Sequence, residues 1–152
     1  MKSIFIALTI IVALKVGQHK GVQEPVDELL YVLDTAGVKN PKVVACQWFH
    51  ETGVMKSKIY RENHNPFGMK ESRRHWDIGT KNGHANYFHV NHFGRCDVNC
   101  YMDAIHDYAE WQKQRGWTGG EDEEYMEFLV LKGYAEDPKY IDRLRGYYYL
   151  LF

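Results

Sequence analysis

Apolar residues recur along this chain in blocks with helical spacing. Val26, Leu29, Leu30 and Leu33 follow Pro25, and Gly37 stops the block. Asn40-Pro41 restarts it: Asn is a favoured cap, and Pro suits the first helical position. A second helix runs from there to about Thr52, with Gly53 as its stop. The stretch Tyr60 to Gly68 is rich in Asn, Pro and Gly and reads as a loop. Residues 70–93 are polar, Asn82-Gly83 is a hairpin signal, and apolar positions alternate from Tyr87 to Phe93. A small β-hairpin or irregular wing is expected there. A third helix is predicted from about Asp97, with Val98, Tyr101, Ile105, Tyr108 and Gln112 on one face. Gly116 to Gly120 breaks it. Asp122 is the expected cap of a fourth helix through Tyr125, Phe128 and Leu129, and Asp137-Pro138 opens a fifth with Ile141, Leu144 and Tyr148. There is no internal repeat and no low-complexity stretch. The pattern predicts a mostly helical α+β domain with a small β insertion.

One block behaves differently. The run Ile4 to Leu14 is apolar except for Thr9 and is flanked by Lys2 and Lys15. Eleven residues are too few to span a bilayer as a helix. A short positive start followed by such a run reads as a secretory signal, although no A-x-A-like cleavage triplet follows. The expected organisation is a signal peptide or signal anchor over 1–18 and one domain over 22–152. Export to the periplasm, cell envelope or surroundings is expected, with membrane association through residues 4–14 if the segment is kept. A buried or amphipathic N-terminal helix is the rival, and the lack of a polar face speaks against it.

At 152 residues the chain has room for one domain with a real core. Its formal net charge of −1 becomes −3 once Lys2 and Lys15 are removed. Nucleic acid is therefore not an expected partner, because phosphate binding needs a clustered basic surplus. Aromatic residues are abundant (7 Phe, 4 Trp, 11 Tyr). Trp48, Tyr101, Tyr108, Phe128, Tyr140 and Tyr148 lie on helix faces and read as core. Tyr60, Phe67, Trp76, Tyr87 and Tyr134 fall in loops or the wing and read as a stacking surface. The three cysteines, Cys46, Cys96 and Cys100, are no disulfide framework. Cys46 reads as a buried free thiol. A monomer without cofactor is expected.

The candidate chemistry lies in the second helix. Val44, Gln47, Trp48 and Glu51 stand at i, i+3, i+4 and i+7 and share a face. Glu51 is thus a carboxylate on a mostly apolar face in the last turn. Desolvation and the negative helix end both favour its protonated form, which a general acid requires. The rival is a Glu that reaches solvent at a frayed end. His50-Glu51 begins like H-E-x-x-H, but Val54 stands where the second His belongs, so a zinc-protease site is rejected. His84, His89 and His92 are close in sequence, but their spacing matches no metal motif, and no metal is expected. Cys46 with His50 one turn later is a conceivable nucleophile pair.

Five ordered segments resemble the glucosaminidase family of peptidoglycan hydrolases, which includes flagellar and autolysin types. Gln47 to Gly53 with Lys56-Ser57 is similar to Q-x-x-x-E-[ST]-G-x-x-x-S. Asn65 to Lys70 is similar to N-[LP]-F-G-[IM]-K, and Gly83 to Tyr87 to G-H-A-x-Y. Ile105 to Gln112 and Tyr134 to Tyr140 resemble S-[IV]-x-D-Y-x-x-W-Q and Y-A-[TE]-D-P-x-Y. Together they cover roughly residues 26–146. The resemblance implies a lysozyme-like helical domain with a small β-hairpin wing and a long groove. It implies cleavage of the β-1,4 bond after N-acetylglucosamine in glycan strands, with Glu51 as the catalytic acid. It also implies sugar contact by Tyr134 and a groove floor shaped by Asn65 and Phe67. Gln47, His84 and Tyr87, in the same motifs, complete the expected substrate-binding set.

The sequence departs from the family in the wing. Where other members carry T-x-E before a glycine, this chain reads Thr80-Lys81-Asn82-Gly83. The nearest acids are Glu71 and Asp77, and Asp77 is the candidate for positioning water. An inverting route needs two carboxyls about 6.5–9.5 Å apart, whereas a substrate-assisted route uses the sugar's 2-acetamido group and one protein acid. Three alternatives stay open: a glycan-binding or virion-associated module without turnover, a muramidase, and the Cys–His hydrolase.

Overall fold

The computed structural model describes residues 20–54, 56–70, 80–87 and 101–152, with side chains from residue 26 onward. The leader-like segment, Glu71, Trp76, Asp77, Val98, His89, His92, Cys96 and Cys100 lie outside the described residues. Six helices and one hairpin are present among those described: α1 Lys20–Thr35, α2 Pro41–Glu51, α3 Lys58–Asn63, β1 Thr80–Lys81, β2 His84–Ala85, α4 Met102–Gln114, α5 Asp122–Leu131 and α6 Tyr140–Leu151.

Helix α2 is the centre of the fold. Six successive residues, Val43 to Trp48, are buried, so every face of the helix is covered. It packs chiefly against α6, and also against α1 and α5. Helix α1 contributes Val26, Leu29 and Leu33, helix α4 Ala104, Ile105, Tyr108 and Trp111, helix α5 Tyr125, Met126 and Leu129, and helix α6 Tyr140 and Leu144. This is the mostly helical α+β, lysozyme-like arrangement that the pattern and the resemblance imply.

Several boundaries differ from expectation. Helix α1 begins at Lys20, so Pro25 falls inside it. Asn40 occupies the cap position of α2 but makes no side-chain cap bond, because its backbone is left-handed at φ 54°. Its side chain instead donates to Gly120 O at 2.8 Å and to Asp122 Oδ1 at 2.9 Å, and accepts from Trp117 Nε1 at 2.9 Å. Glu121, not Asp122, precedes α5, and its N–H donates to Glu124 Oε2 at 3.2 Å. Asp122 is thereby left to receive the Asn40 amide and the Tyr148 hydroxyl at 2.7 Å, which ties α2, α5 and α6 together. Helix α6 starts at Tyr140, after a turn in which Asp137 Oδ1 accepts the Lys139 N–H at 2.9 Å. Helix α3 interrupts the expected loop: Ser57 Oγ caps it by accepting the Tyr60 N–H at 3.1 Å. At six residues it is too short to show apolar periodicity.

The hairpin pairs Thr80 with Ala85 and Lys81 with His84. Asn82 and Gly83 both have positive φ, at 56° and 76°, which is the two-residue turn that Asn-Gly favours. So short a ribbon needs external support. Asn63 Nδ2 supplies it by donating to Lys81 O at 2.7 Å, and the Tyr87 N–H donates to Asn63 O at 2.7 Å. Asn65 joins the same seam: its amide donates to Met69 O at 2.8 Å and Ala85 O at 3.0 Å, and accepts the Met69 N–H at 3.0 Å. These asparagines hold the 64–69 loop between the hairpin and α2.

Candidate active site

Glu51 is the last residue of α2 and is half-buried. Burial pushes its carboxyl from 4.5 up to about 7, while the Tyr140 hydroxyl, donating to Oε1 at 3.1 Å, acts the other way. The second oxygen, Oε2, lies against the backbone of Gly68: a methyl group at that position would stand 3.5 Å from it. Gly68 has φ +62°, a conformation that costs glycine little. The loop held by Asn65 therefore brings bare backbone against the carboxylate. A Glu near 7 is populated in both protonation states at neutral pH, as a group that gives up and regains a proton must be.

Around Glu51 stands a ring of aromatic and imidazole groups. The rings of Tyr134 and Tyr140 are 6.1 Å apart, and the partly buried Tyr134 donates its hydroxyl to Phe67 O at 2.7 Å. His50 packs edge-on to Tyr140 at 5.3 Å. Burial and the Arg143 charge lower its pKa against the opposing pull of Asp137, so His50 is neutral at pH 7. Arg143 itself is paired with Asp137 at 2.8 Å.

Behind Tyr140 runs a buried line of polar groups. Gln47 Nε2 donates to Tyr140 Oη at 3.2 Å, and Gln47 Oε1 accepts from the Tyr108 hydroxyl. The Tyr108 and Tyr125 hydroxyls are 2.6 Å apart, and Gln112 Nε2 donates to Tyr125 at 2.6 Å. Gln112 also bonds Lys39 twice, accepting its N–H and donating to its carbonyl, both at 2.9 Å.

The structure redistributes the expected substrate-binding set. Gln47 is fully buried with both ends of its amide occupied, so it is a partner of Tyr140 and not a sugar contact. Asn65 is spent on the loop seam. Phe67 is packed between Trp48 and Tyr108 at 5.5 and 4.4 Å, and its carbonyl receives the Tyr134 hydroxyl. Tyr87 is buried and donates to Asp107 Oδ2 at 2.7 Å. The physical reason is common to all four: each side chain meets its hydrogen-bond or packing needs inside the fold. Tyr60 stacks on Tyr101 at 5.0 Å and belongs with the core too. Tyr134 stays at the site, and His84 is part-exposed on β2 with Nδ1 3.0 Å from Asn82 O. The stretch where a family member carries its wing carboxylate is here the hairpin itself, Thr80 to Gly83. Asp77 lies outside the described residues.

Tyr140 is the site residue that the pattern alone missed. Its place on a helix face reads as core, and it is core, but its hydroxyl reaches Glu51. The only signal was its place as the closing Tyr of the motif that begins at Tyr134. The Cys46–His50 pair is not supported: Cys46 is wholly buried and its thiol is pushed up to about 12 by that burial, so no thiolate forms at neutral pH.

A search of curated proteins and a search of solved structures each return no match. A family model described as Glucosaminidase, mannosyl-glycoprotein endo-beta-N-acetylglucosaminidase, matches residues 31–150, a span that holds Glu51, Gly68, Tyr134 and Tyr140. With four-fifths of its length matched and a buried, protonatable carboxyl within that match, the chain belongs to the glucosaminidase family and is a glycoside hydrolase of the peptidoglycan type.

Proposed function

We propose that the protein is an exported endo-β-N-acetylglucosaminidase that cleaves the β-1,4 bond after N-acetylglucosamine in peptidoglycan strands, with Glu51 as general acid. The observation that carries this reading is Glu51 itself, held near 7 by burial with one oxygen against the bare backbone of Gly68. In the reaction, Glu51 gives its proton to the glycosidic oxygen as the bond from that oxygen to the anomeric carbon breaks. The departing strand leaves as a neutral alcohol. The hairpin carries Asn82 where a second carboxylate would stand in the family, which favours the substrate-assisted route. There the sugar's 2-acetamido oxygen closes on the anomeric carbon as the glycosidic bond breaks, and water then adds at that carbon, breaking the new carbon–oxygen bond and returning a proton to Glu51. Asp77 is the acid assigned to positioning that water, and Asp77→Asn should slow the reaction. Tyr134 and His84 are the described side chains left for sugar contact.

The test compares wild type with Glu51→Gln on purified cell-wall sacculi. New reducing ends are expected from wild type only, with a loss of about a hundredfold or more in the variant. Borohydride reduction and mass spectrometry of the fragments should place the reducing end on N-acetylglucosamine. A reducing end on the muramic sugar would make the enzyme a muramidase. Binding without fragments would make it a glycan-binding module. Export is tested by envelope fractionation with and without residues 1–18.

A further inference from the structure

The buried polar line behind Tyr140 has a direction, anchored at one end by a backbone group and in its middle by the Tyr108 bond to Gln47 Oε1. The Lys39 N–H can only donate, so Gln112 must turn Oε1 towards it and Nε2 towards Tyr125. Tyr125 accepts that N–H and has a single proton to give. Tyr108 spends its own proton on Gln47 Oε1, so the Tyr125 proton goes to Tyr108. With Oε1 taken, Gln47 turns Nε2 to Tyr140. Tyr140 accepts it, and its one proton points to Glu51 Oε1. The five side chains between the two ends, Gln112, Tyr125, Tyr108, Gln47 and Tyr140, are buried, so no solvent is at hand to reverse a link between them. A line of hydrogen bonds that all run one way also strengthens its members.

The consequence falls on Glu51. Oε1 accepts the Tyr140 hydroxyl and is the poorer of the two oxygens to carry the acidic proton. The proton is left to Oε2, the oxygen beside Gly68. Resting on the assignment of Glu51 as the acid, we propose that Gln47 is a positioning residue: acting through Tyr140, it confines the Glu51 proton to Oε2, where the glycosidic oxygen must approach. The other titratable groups facing this pair are Tyr134, from the α5–α6 connection, and His50, next to Glu51 on α2, with Arg143 and Asp137 beyond His50. None of these takes part in the line. Without Gln47, Tyr140 is free to turn and accept a proton from the neutral acid, which stabilises the neutral form and points its proton away from Gly68.

The experiment uses the full chain and Gln47→Met, which keeps the shape of the side chain and removes both hydrogen bonds. The Glu51 carboxyl is followed by NMR with carbon-13-labelled glutamate, its signal assigned by its loss in Glu51→Gln. The pH dependence of kcat and of KM on sacculi is measured alongside. The midpoint of Glu51 should rise by about half to one pH unit, and kcat should fall about tenfold with KM little changed. Tyr87→Phe is the matched control: it removes a hydrogen bond as deeply buried, to Asp107, and should lower stability while leaving the Glu51 midpoint in place. If Gln47→Met does not fold, Tyr140→Phe removes the last link and should also raise the midpoint. An unmoved midpoint in the folded variant, or an equal rise in Tyr87→Phe, overturns the proposal. The NMR midpoint needs no turnover, so the two assignments fail separately. Sacculi left intact by wild type would sink the glycosidase reading alone. An inactive Glu51→Gln beside a Gln47→Met with wild-type midpoint and kcat would sink the positioning role alone.

Discussion

Glu51→Gln should make the protein inactive and more stable at the same time. In the folded chain the Glu51 carboxyl lies at about 7, against 4.5 for an unperturbed group. At about 1.4 kcal/mol for each factor of ten, that difference amounts to about 3 kcal/mol. The folded pKa is the higher one, so the native state holds the proton more tightly than the unfolded chain. The associated stability is fully present below pH 4.5 and is lost as pH rises through 7. Gln keeps an oxygen that accepts from Tyr140 but has nothing to ionise. The two proteins should therefore be equally stable near pH 4, and the variant should gain with pH to about 3 kcal/mol near pH 8. For a domain of this size that corresponds to about 6–12 °C in melting temperature. Urea unfolding at a series of pH values from 4 to 8 measures the difference directly. A difference curve that stays flat across this range would refute a carboxyl raised by burial. Wild-type hydrolysis should fall away above pH 7, where the acid is lost. A gain in stability together with a loss of hydrolysis would mark Glu51 as a group kept for the chemistry at a cost in stability.

Other outcomes follow from single residues. Gly68→Ala introduces a side chain at φ +62° and places a methyl 3.5 Å from Glu51 Oε2. It should cost about 1–2 kcal/mol in urea unfolding and depress kcat by obstructing the approach to that oxygen. Gln112→Leu leaves the buried Tyr125 hydroxyl without its donor and breaks both bonds to Lys39, and should cost about 2–3 kcal/mol, read by the same method. Cys46 should resist iodoacetamide in the native protein at pH 8 and react fully in urea, as peptide mapping at that residue will show. Native labelling of Cys46 would contradict its burial.

The sequence by itself determined the local elements and the order of the motifs. Apolar periodicity marked the helices, Asn40-Pro41 and Gly53 bounded α2, and Asn82-Gly83 required the hairpin, because these signals act within a few residues of chain. Glu51 was legible for the same reason: its face and its place at a helix end are local facts. Helix α3 and the early start of α1 escaped, one because six residues leave no period and the other because Pro25 looked like a beginning. Only the tertiary structure decided what the polar side chains do. A polar residue within an apolar block reads the same whether it turns to a groove or inward, and Gln47, Asn65 and the Tyr87 hydroxyl all turn inward. The bonds from Gln47 to Tyr140, from Tyr108 to Gln47 and from Tyr140 to Glu51 join residues 93, 61 and 89 positions apart. Such partners leave no trace in any local pattern. They meet because α2 is buried on every side, and a buried donor or acceptor must find its partner on whichever helix packs against it.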